Sequence, residues 1–144
     1  MNVLIKNSRF LRKSFLQKVF GEQFLKIEEE EDTLSEKNYI FINLVKDFIL
    51  KNIDQENLTI DEVASELCMS RTTFFNKWKS LTGEAPKYFI YRIRMEKARE
   101  LLESGRYSVN VVPELIGLRN LKNFRHKYKE YFGITPSESI MKKQ

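Results

Sequence analysis

Two segments of the sequence place hydrogen-bonding and cationic side chains at the same helical spacing, i, i+3, i+4 and i+7. In segment 70–81 this outward set is Thr72, Phe75, Asn76 and Lys79, and in segment 119–131 it is Lys122, Arg125, His126 and Lys129. An Asn side chain can bond adenine at two points, an Arg side chain can do the same to guanine, and a Thr methyl or an aromatic ring can pack on the methyl group of thymine. Both sets are therefore suited to contacting base edges in DNA.

Cations at the edges of the two segments are suited to neutralising phosphates. Segment 70–81 contains no Asp or Glu, and segment 119–131 contains only Glu130. A basic helix face is often only solvated, and Phe75 taken alone also fits a core position. The repetition of one outward spacing is what favours nucleic acid. The predicted phosphate-binding residues are Arg71, Lys77, Lys79, Arg119, Lys127 and Lys129.

The apolar residues of the same segments indicate how the outward sets are held. Phe74, Trp78 and Leu81 recur at i, i+4 and i+7, which predicts the buried face of a helix. Ser70 is suited to capping the start of this helix and Gly83 to ending it. The matching buried face of the second segment is Phe124, Tyr128 and Phe132.

Both helices belong to a longer repeat, because segment 59–83 recurs at 108–133 with one residue inserted in the turn. The first copy opens at Thr59 with capping-box spacing, and Ser108 is the expected cap of the second copy. A helix over 86–104 is predicted to join the copies, since Pro86 suits its first turn and Gly105 its end. Two short helices joined by a tight turn, occurring twice, predict two helix-turn-helix motifs. The buried stripe of the first short helix is Ile60, Val63, Ala64 and Leu67.

The segment ahead of the repeat is also expected to be helical, and no strand is predicted anywhere. Residues 1–34 are read as a connector, with a helix over 3–20 and an acidic linker, EEEED, at 28–32. The helix over 3–20 either packs on its own domain or forms a dimer, and both readings remain open. A helix over 36–52 follows, with Ser35 as its cap, and the region 35–144 is taken as one all-α DNA-binding domain. The stripe of that helix is Phe41, Leu44, Val45, Phe48 and Ile49.

Charge and composition agree with an anionic partner. The 144 residues carry a net charge of +5. Residues 1–57 hold 9 basic and 10 acidic side chains, and residues 58–144 hold 16 and 10, so the basic excess lies in the second part. Cys68 is the only cysteine, which excludes an intrachain disulfide and favours a reducing, cytoplasmic compartment. No phosphate loop, metal set or catalytic constellation is recognisable, so neither an enzyme nor a cofactor is expected.

The span from about Leu58 to Ile140 resembles the DNA-binding domain of the AraC/XylS family of bacterial transcription regulators. The residues that carry the resemblance are TIDEVASELCMSRTTFFNKWKSLTGEAPKYFIYRIRMEKARELLESG and FRHKYKEYFGITPSE. The resemblance implies two motifs that enter successive major-groove segments of double-stranded DNA. It also implies that Arg94, in the linker helix, anchors structure rather than bases. The base-reading positions fall on Thr72, Phe75, Asn76, Lys122, Arg125 and His126.

The stretch before this domain is similar to what precedes it in Bacteroides-type hybrid two-component regulators. That similarity implies an output region of a longer, membrane-anchored sensor, with a histidine kinase elsewhere in the protein. The implied partners are double-stranded DNA, an upstream receiver domain, RNA polymerase, and a second copy through the N-terminal helix. A helical protein-interaction module with only non-specific DNA affinity is the alternative, and RNA binding is a third reading that the absence of predicted strands disfavours.

The second copy departs from the family pattern at several positions. Pro113 stands where the family usually has Ala, and in a helix starting at Ser108 it would cost roughly 3 kcal/mol unless the helix kinks or begins late. We therefore expect a short or late helix there, and a gain in thermal stability for Pro113→Ala. The other departures are Leu118, Asn123 and Lys127.

Overall fold

The computed structural model describes residues 32–143, with the side chains of residues 36–142. The described residues form helices and contain no strand, which confirms the predicted all-α fold for this part of the chain. The predicted helix over 3–20 and residues 28–31 of the acidic linker lie outside the described residues. The helices are α1 Asp32–Lys51, α2 Ile60–Glu66, α3 Arg71–Thr82, α4 Pro86–Glu103, α5 Val112–Leu115, α6 Leu121–Phe132 and α7 Pro136–Lys143.

Helix α1 begins at Asp32, so the prediction that Ser35 caps it was wrong. Ser35 is the fourth residue of this helix and therefore lies within its first turn. The predicted stripe is partly correct, since Phe41, Val45 and Ile49 are buried but Leu44 is 50% exposed. Apolar residues flank the stripe on both sides, so the periodicity alone could not fix the centre of the buried face.

The chain divides into two compact units, and the boundaries fall inside helices. Among the described residues, the first unit is 32–48 with Ile60–Phe89, and the second is Ile49–Thr59 with 90–143. Helix α1 therefore leaves the first unit after Phe48, and helix α4 does so after Phe89. Each helix-turn-helix motif lies within one unit.

The core of the first unit is aromatic. Phe74 and Trp78 of α3 are fully buried. The ring of Phe41 in α1 lies 5.8 Å from that of Phe74, and the ring of Phe89 lies 4.6 Å from that of Trp78. Val63 and Ala64 of α2 are buried as well. The predicted inward face of α3 is thus confirmed at its two largest residues.

The core of the second unit contains a buried polar pair in addition to apolar groups. Phe124 and Tyr128 of α6 are fully buried, as predicted. The hydroxyl of Tyr128 lies 2.6 Å from the hydroxyl of Ser139 in α7. Burial raises the pKa of the Tyr128 phenol. Helix α7 was not predicted, although its start carries a sequence signal.

That signal is a capping box at the start of α7. The backbone N–H of Glu138 donates to Thr135 Oγ1 at 3.2 Å, and the N–H of Thr135 donates to Glu138 Oε2 at 3.0 Å. Pro136, the first residue of the helix, is pre-organised for that position.

Helix α5 is short and begins late, which confirms the expectation for the segment containing Pro113. It runs over four residues from Val112, and its N-cap is Val111 rather than Ser108, whose carbonyl accepts from the N–H of Val111 at 3.1 Å. Pro113 therefore lies in the first turn, where a helix leaves its N–H groups unpaired in any case. The expected gain in stability for Pro113→Ala loses its basis.

Candidate nucleic-acid interface

Helices α3 and α6 begin and end in the same way, fifty residues apart. Ser70 Oγ accepts from the N–H of Thr73 at 3.1 Å, and Asn120 Oδ1 accepts from the N–H of Asn123 at 2.9 Å. At the other end Gly83 and Gly133 are left-handed, with φ of 75° and 77°. Each glycine donates its N–H to a carbonyl four residues back at 2.7 Å. Both helices are twelve residues long.

The turn before each of these helices also contains one left-handed residue. In the first motif it is Cys68, with φ of 56°, and in the second it is Gly117, with φ of 76°. The two turns therefore aim α3 and α6 with the same type of backbone. Glycine adopts this conformation at no steric cost, whereas a side chain makes it unfavourable.

The predicted base-reading residues of α3 lie on its solvent side. Thr72 and Asn76 are exposed, and Phe75 is 36% exposed despite its size. The buried side of α3 includes Thr82, which the apolar pattern missed; its hydroxyl donates to the carbonyl of Trp78 at 2.8 Å. These positions leave a polar face with one aromatic group available to a partner.

The predicted base-reading residues of α6 lie on its solvent side as well, with a different chemistry. Lys122, Arg125 and His126 are all exposed. His126 Nε2 lies 3.7 Å from Glu130 Oε2, and both side chains are well exposed. The structure thus brings the three residues of each motif onto one helix face, with neutral groups on α3 and two cations beside an imidazole on α6.

The predicted phosphate-binding residues fall into three groups. Lys79, Lys129 and Arg119 are exposed. Arg71, in contrast, lies 3.2 Å from the carboxylate of Asp61, with both side chains exposed.

The other two members of the predicted set lie against aromatic rings. The ammonium of Lys77 is 4.3 Å from the ring centre of Phe41, and that of Lys127 is 5.8 Å from the ring centre of Tyr91. Neither ring was predicted to belong to the interface. The sequence does hold a signal for them, because Phe41 and Tyr91 are fifty residues apart, and so are Lys77 and Lys127.

Arg94 is an internal anchor, as the resemblance implied. Its side chain is only 9% exposed, and its guanidinium donates to the carbonyl of Gln55 at 2.7 Å. Burial lowers the pKa of this group, while the charge of Glu56 opposes the shift. A Cβ built on Gly117 would contact the carbonyl of Ile53 and lie 3.0 Å from Arg94 Nη2. Arg94 therefore fixes the loop after α1 against the turn of the second motif.

The part of the chain that the structure describes contains neither a membrane-spanning helix nor a group of side chains suited to a metal ion. Over residues 32–143, no helix is long and apolar enough to cross a membrane. Within the same range, no three His, Cys, Asp or Glu side chains are grouped so that they could hold a metal ion.

Comparison with known sequences identifies one family. A sequence model described as "Helix-turn-helix domain" matches residues 63–140. The protein Histidine kinase P4 of Formosa agariphila is 33% identical over 87 residues, a match that covers 60% of this chain and 6% of that protein. The chain spans less than half the length of eight curated relatives that it matches, from 6% to 41%.

Two solved structures have the same fold as this chain, at 26% and 28% sequence identity. The C-terminal domain of AraT, a response regulator from Geobacillus stearothermophilus, has a TM-score of 0.63 and 26% identity over 71% of this chain and 84% of that one. The DNA-binding domain of AdpA, a global transcriptional factor solved with a target DNA, has a TM-score of 0.59 and 28% identity over 70% of this chain and 89% of that one.

Proposed function

The chain belongs to the AraC/XylS family of helix-turn-helix DNA-binding domains, and we propose that it is a sequence-specific, double-stranded DNA-binding transcription regulator. In this proposal α3 and α6 are the recognition helices, and they read two successive major-groove segments. The domain supplies binding rather than catalysis.

The observation that carries the proposal is the duplication of one exposed, acid-poor helix face on two equally capped helices. Each helix buries an aromatic pair, Phe74 with Trp78 or Phe124 with Tyr128. Each then presents its hydrogen-bonding or cationic side chains to solvent. A recognition helix needs this division, because base edges are contacted from one side while the other side holds the helix in place.

We assign the base contacts to the exposed faces described above. Asn76 is proposed to bond adenine and Arg125 to bond guanine, since these are the side chains that pair with those bases at two points. Phe75 and Thr72 are placed to pack on thymine methyl groups. The remaining members of the proposed base-reading set are Lys122 and His126, and the proposed phosphate contacts are Arg71, Lys77, Lys79, Arg119, Lys127 and Lys129.

The chain is proposed to be the output region of a longer signalling protein. Support comes from a relative named as a histidine kinase, of which the chain matches 6%, and from the likeness to the C-terminal domain of a response regulator. In such a protein an upstream receiver domain, RNA polymerase and a second copy of the chain would be further partners. The kinase activity would lie elsewhere in the full protein.

Selection of bound duplexes from a random pool tests the proposal. A preferred site should emerge. The logarithm of the affinity for that site should fall with the logarithm of the salt concentration at a slope near −5, if about six phosphates are neutralised. A scrambled duplex of equal length and composition is the control. Enrichment of no sequence, together with equal affinity for selected and scrambled duplexes, would favour the alternative of a protein-interaction module.

A further inference from the structure

We propose that Phe41 and Tyr91 are positioning residues for DNA binding, because each places an aromatic ring beneath a lysine of the recognition helix in its own unit. The ring of Phe41 in α1 underlies Lys77 in α3, and the ring of Tyr91 in α4 underlies Lys127 in α6. The proposal rests on the proposed function. It adds helices α1 and α4 to the DNA-binding apparatus, and α1 precedes the matched span 63–140.

The two pairs are copies of one arrangement. Rings 41 and 91 and lysines 77 and 127 are each separated by fifty residues, as are the caps of α3 and α6. Ammonium-to-ring distances of 4.3 Å and 5.8 Å both lie within the roughly 6 Å over which a cation is attracted to a ring face. The same pairing of lysine and ring, built from two different aromatic residue types, indicates that the ring is the shared feature.

The position of each lysine on its helix fits the edge of a groove. Successive residues of an α-helix are about 100° apart, so Lys77 lies about 100° beyond Asn76 and on the flank opposite Phe75. Lys127 holds the same position relative to His126 and Arg125. A helix whose centre contacts bases has phosphates along both flanks, and these lysines lie on the flank next to α1 or α4.

A ring beneath the lysine changes what phosphate binding costs. A free lysine side chain loses much rotamer freedom when it is fixed on a phosphate. A lysine already resting on a ring has lost part of that freedom before binding, and its three N–H donors are not consumed by the ring. Tyr91 adds a second restraint, since its hydroxyl donates to the backbone carbonyl of Lys127 at 3.2 Å.

A double-mutant cycle on the full 144-residue chain tests the second pair. Tyr91→Leu should weaken binding of the selected duplex about fivefold, because the Lys127 side chain would then lose all of its rotamer freedom on binding. In the Lys127→Met background the same Tyr91→Leu change should have no further effect. Lys127→Met should also lower the salt slope by about 1. Tyr91→Phe keeps the ring and removes only the hydroxyl bond to the backbone of Lys127, so it should weaken binding less than Tyr91→Leu does, by about twofold.

The controls separate a positioning role from a structural one. Lys129→Met removes a different cation of α6, one that does not lie over Tyr91. In that background Tyr91→Leu should still weaken binding about fivefold, because Lys127 is still present. Equal losses from Tyr91→Leu with and without Lys127 would overturn the proposal. If Tyr91→Leu fails to fold by circular dichroism, Tyr91→Met, whose flexible side chain fills more of the same space, decides by the same criteria. A wild-type chain that binds no duplex would instead refute the proposed function.

Discussion

The two motifs share a left-handed turn residue but surround it differently. Cys68 in the first motif is exposed and tolerates a side chain at φ of 56°. Gly117 in the second is buried, and a Cβ there would meet the carbonyl of Ile53 and the guanidinium of Arg94. At Cys68 the left-handed conformation leaves room for a side chain. At Gly117 the surrounding atoms leave no room for one.

The recognition helices also share one backbone arrangement but carry different side chains on their exposed faces. The outward positions of α3 hold Thr72, Phe75 and Asn76, whereas the equivalent positions of α6 hold cations or an imidazole. We expect the first motif to discriminate bases mainly by neutral hydrogen bonds and packing. The second is expected to contribute more of the electrostatic affinity, which depends on salt.

The supports behind these helices differ as well. Trp78 packs on Phe89 at the start of α4, and fifty residues later Tyr128 bonds the hydroxyl of Ser139 in α7. An aromatic contact in one unit is replaced by a buried hydrogen bond in the other. Stability of the second unit should therefore respond to pH and to polar deletions that leave the first unit unchanged.

The largest expected effect comes from placing alanine at the left-handed turn positions, Gly117 and Cys68. Gly117→Ala should lower the free energy of unfolding by about 2–5 kcal/mol, because a left-handed alanine is strained and its Cβ overpacks the Ile53 carbonyl. Cys68→Ala is the matched control and should be nearly neutral, since that turn already holds a Cβ. Urea unfolding measures both. A Gly117→Ala variant as stable as Cys68→Ala would remove the distinction between the turns.

The next effect sharpens the contrast between the recognition faces. Asn76→Ala and Arg125→Ala should each weaken binding of the selected duplex by about 1–3 kcal/mol. Only Arg125→Ala should also lower the salt slope, by about 1, because it alone removes a charge. Lys79→Ala is the control and should weaken selected and scrambled duplexes alike. If Asn76→Ala weakens both duplexes equally, Asn76 does not read bases.

A smaller effect is expected at Pro113, in the first helix of the second motif. Pro113→Ala should lower stability by about 0.4–1 kcal/mol, because proline at a compatible first-turn position restricts the unfolded chain. Ala64 is the matching residue of α2 and lies in the helix interior, so Ala64→Pro should cost about 3 kcal/mol. Thermal melting of both variants gives the comparison. A stabilised Pro113→Ala variant would revive the view that this proline is a defect.

The smallest effect is a dependence of the second unit on alkaline pH. Burial raises the pKa of Tyr91, Tyr128 and Tyr131 above the ordinary value near 10. Above about pH 10 the unfolded chain loses these protons first, so unfolding releases protons and stability falls as pH rises. Urea titrations followed by tyrosinate absorbance should show this loss, while the fluorescence of Trp78 reports the first unit separately. Tyr131→Phe should flatten the profile; an unchanged profile in that variant would exclude Tyr131 as a source.

Local sequence signals were sufficient for the features that depend on neighbouring residues. Ser70 and Gly83 bound α3 as predicted, because caps act through backbone groups only a few residues away. The buried pair Phe74 and Trp78 followed from helical periodicity. The same rules would have found α7, whose capping box at Thr135 and Glu138 was overlooked.

Other features could not be read locally. The start of α1 ahead of Ser35 could not be read from the cap signal alone, because a serine that suits a cap can also lie in the first turn of a helix. The exposure of Leu44 depended on which side of α1 meets α3, and apolar residues on both flanks of the stripe left that open. The late start of α5 was anticipated from Pro113, but the identity of its cap was not.

The sequence by itself determined the helices, the duplicated outward faces and the family, because each depends on residue type and spacing along the chain. Only the tertiary structure decided which groups meet across the chain. Neither Arg94 against the carbonyl of Gln55 nor Lys77 over the ring of Phe41 follows from helical periodicity. The physical reason is that periodicity fixes the face on which a side chain lies, whereas its partner depends on how distant helices pack.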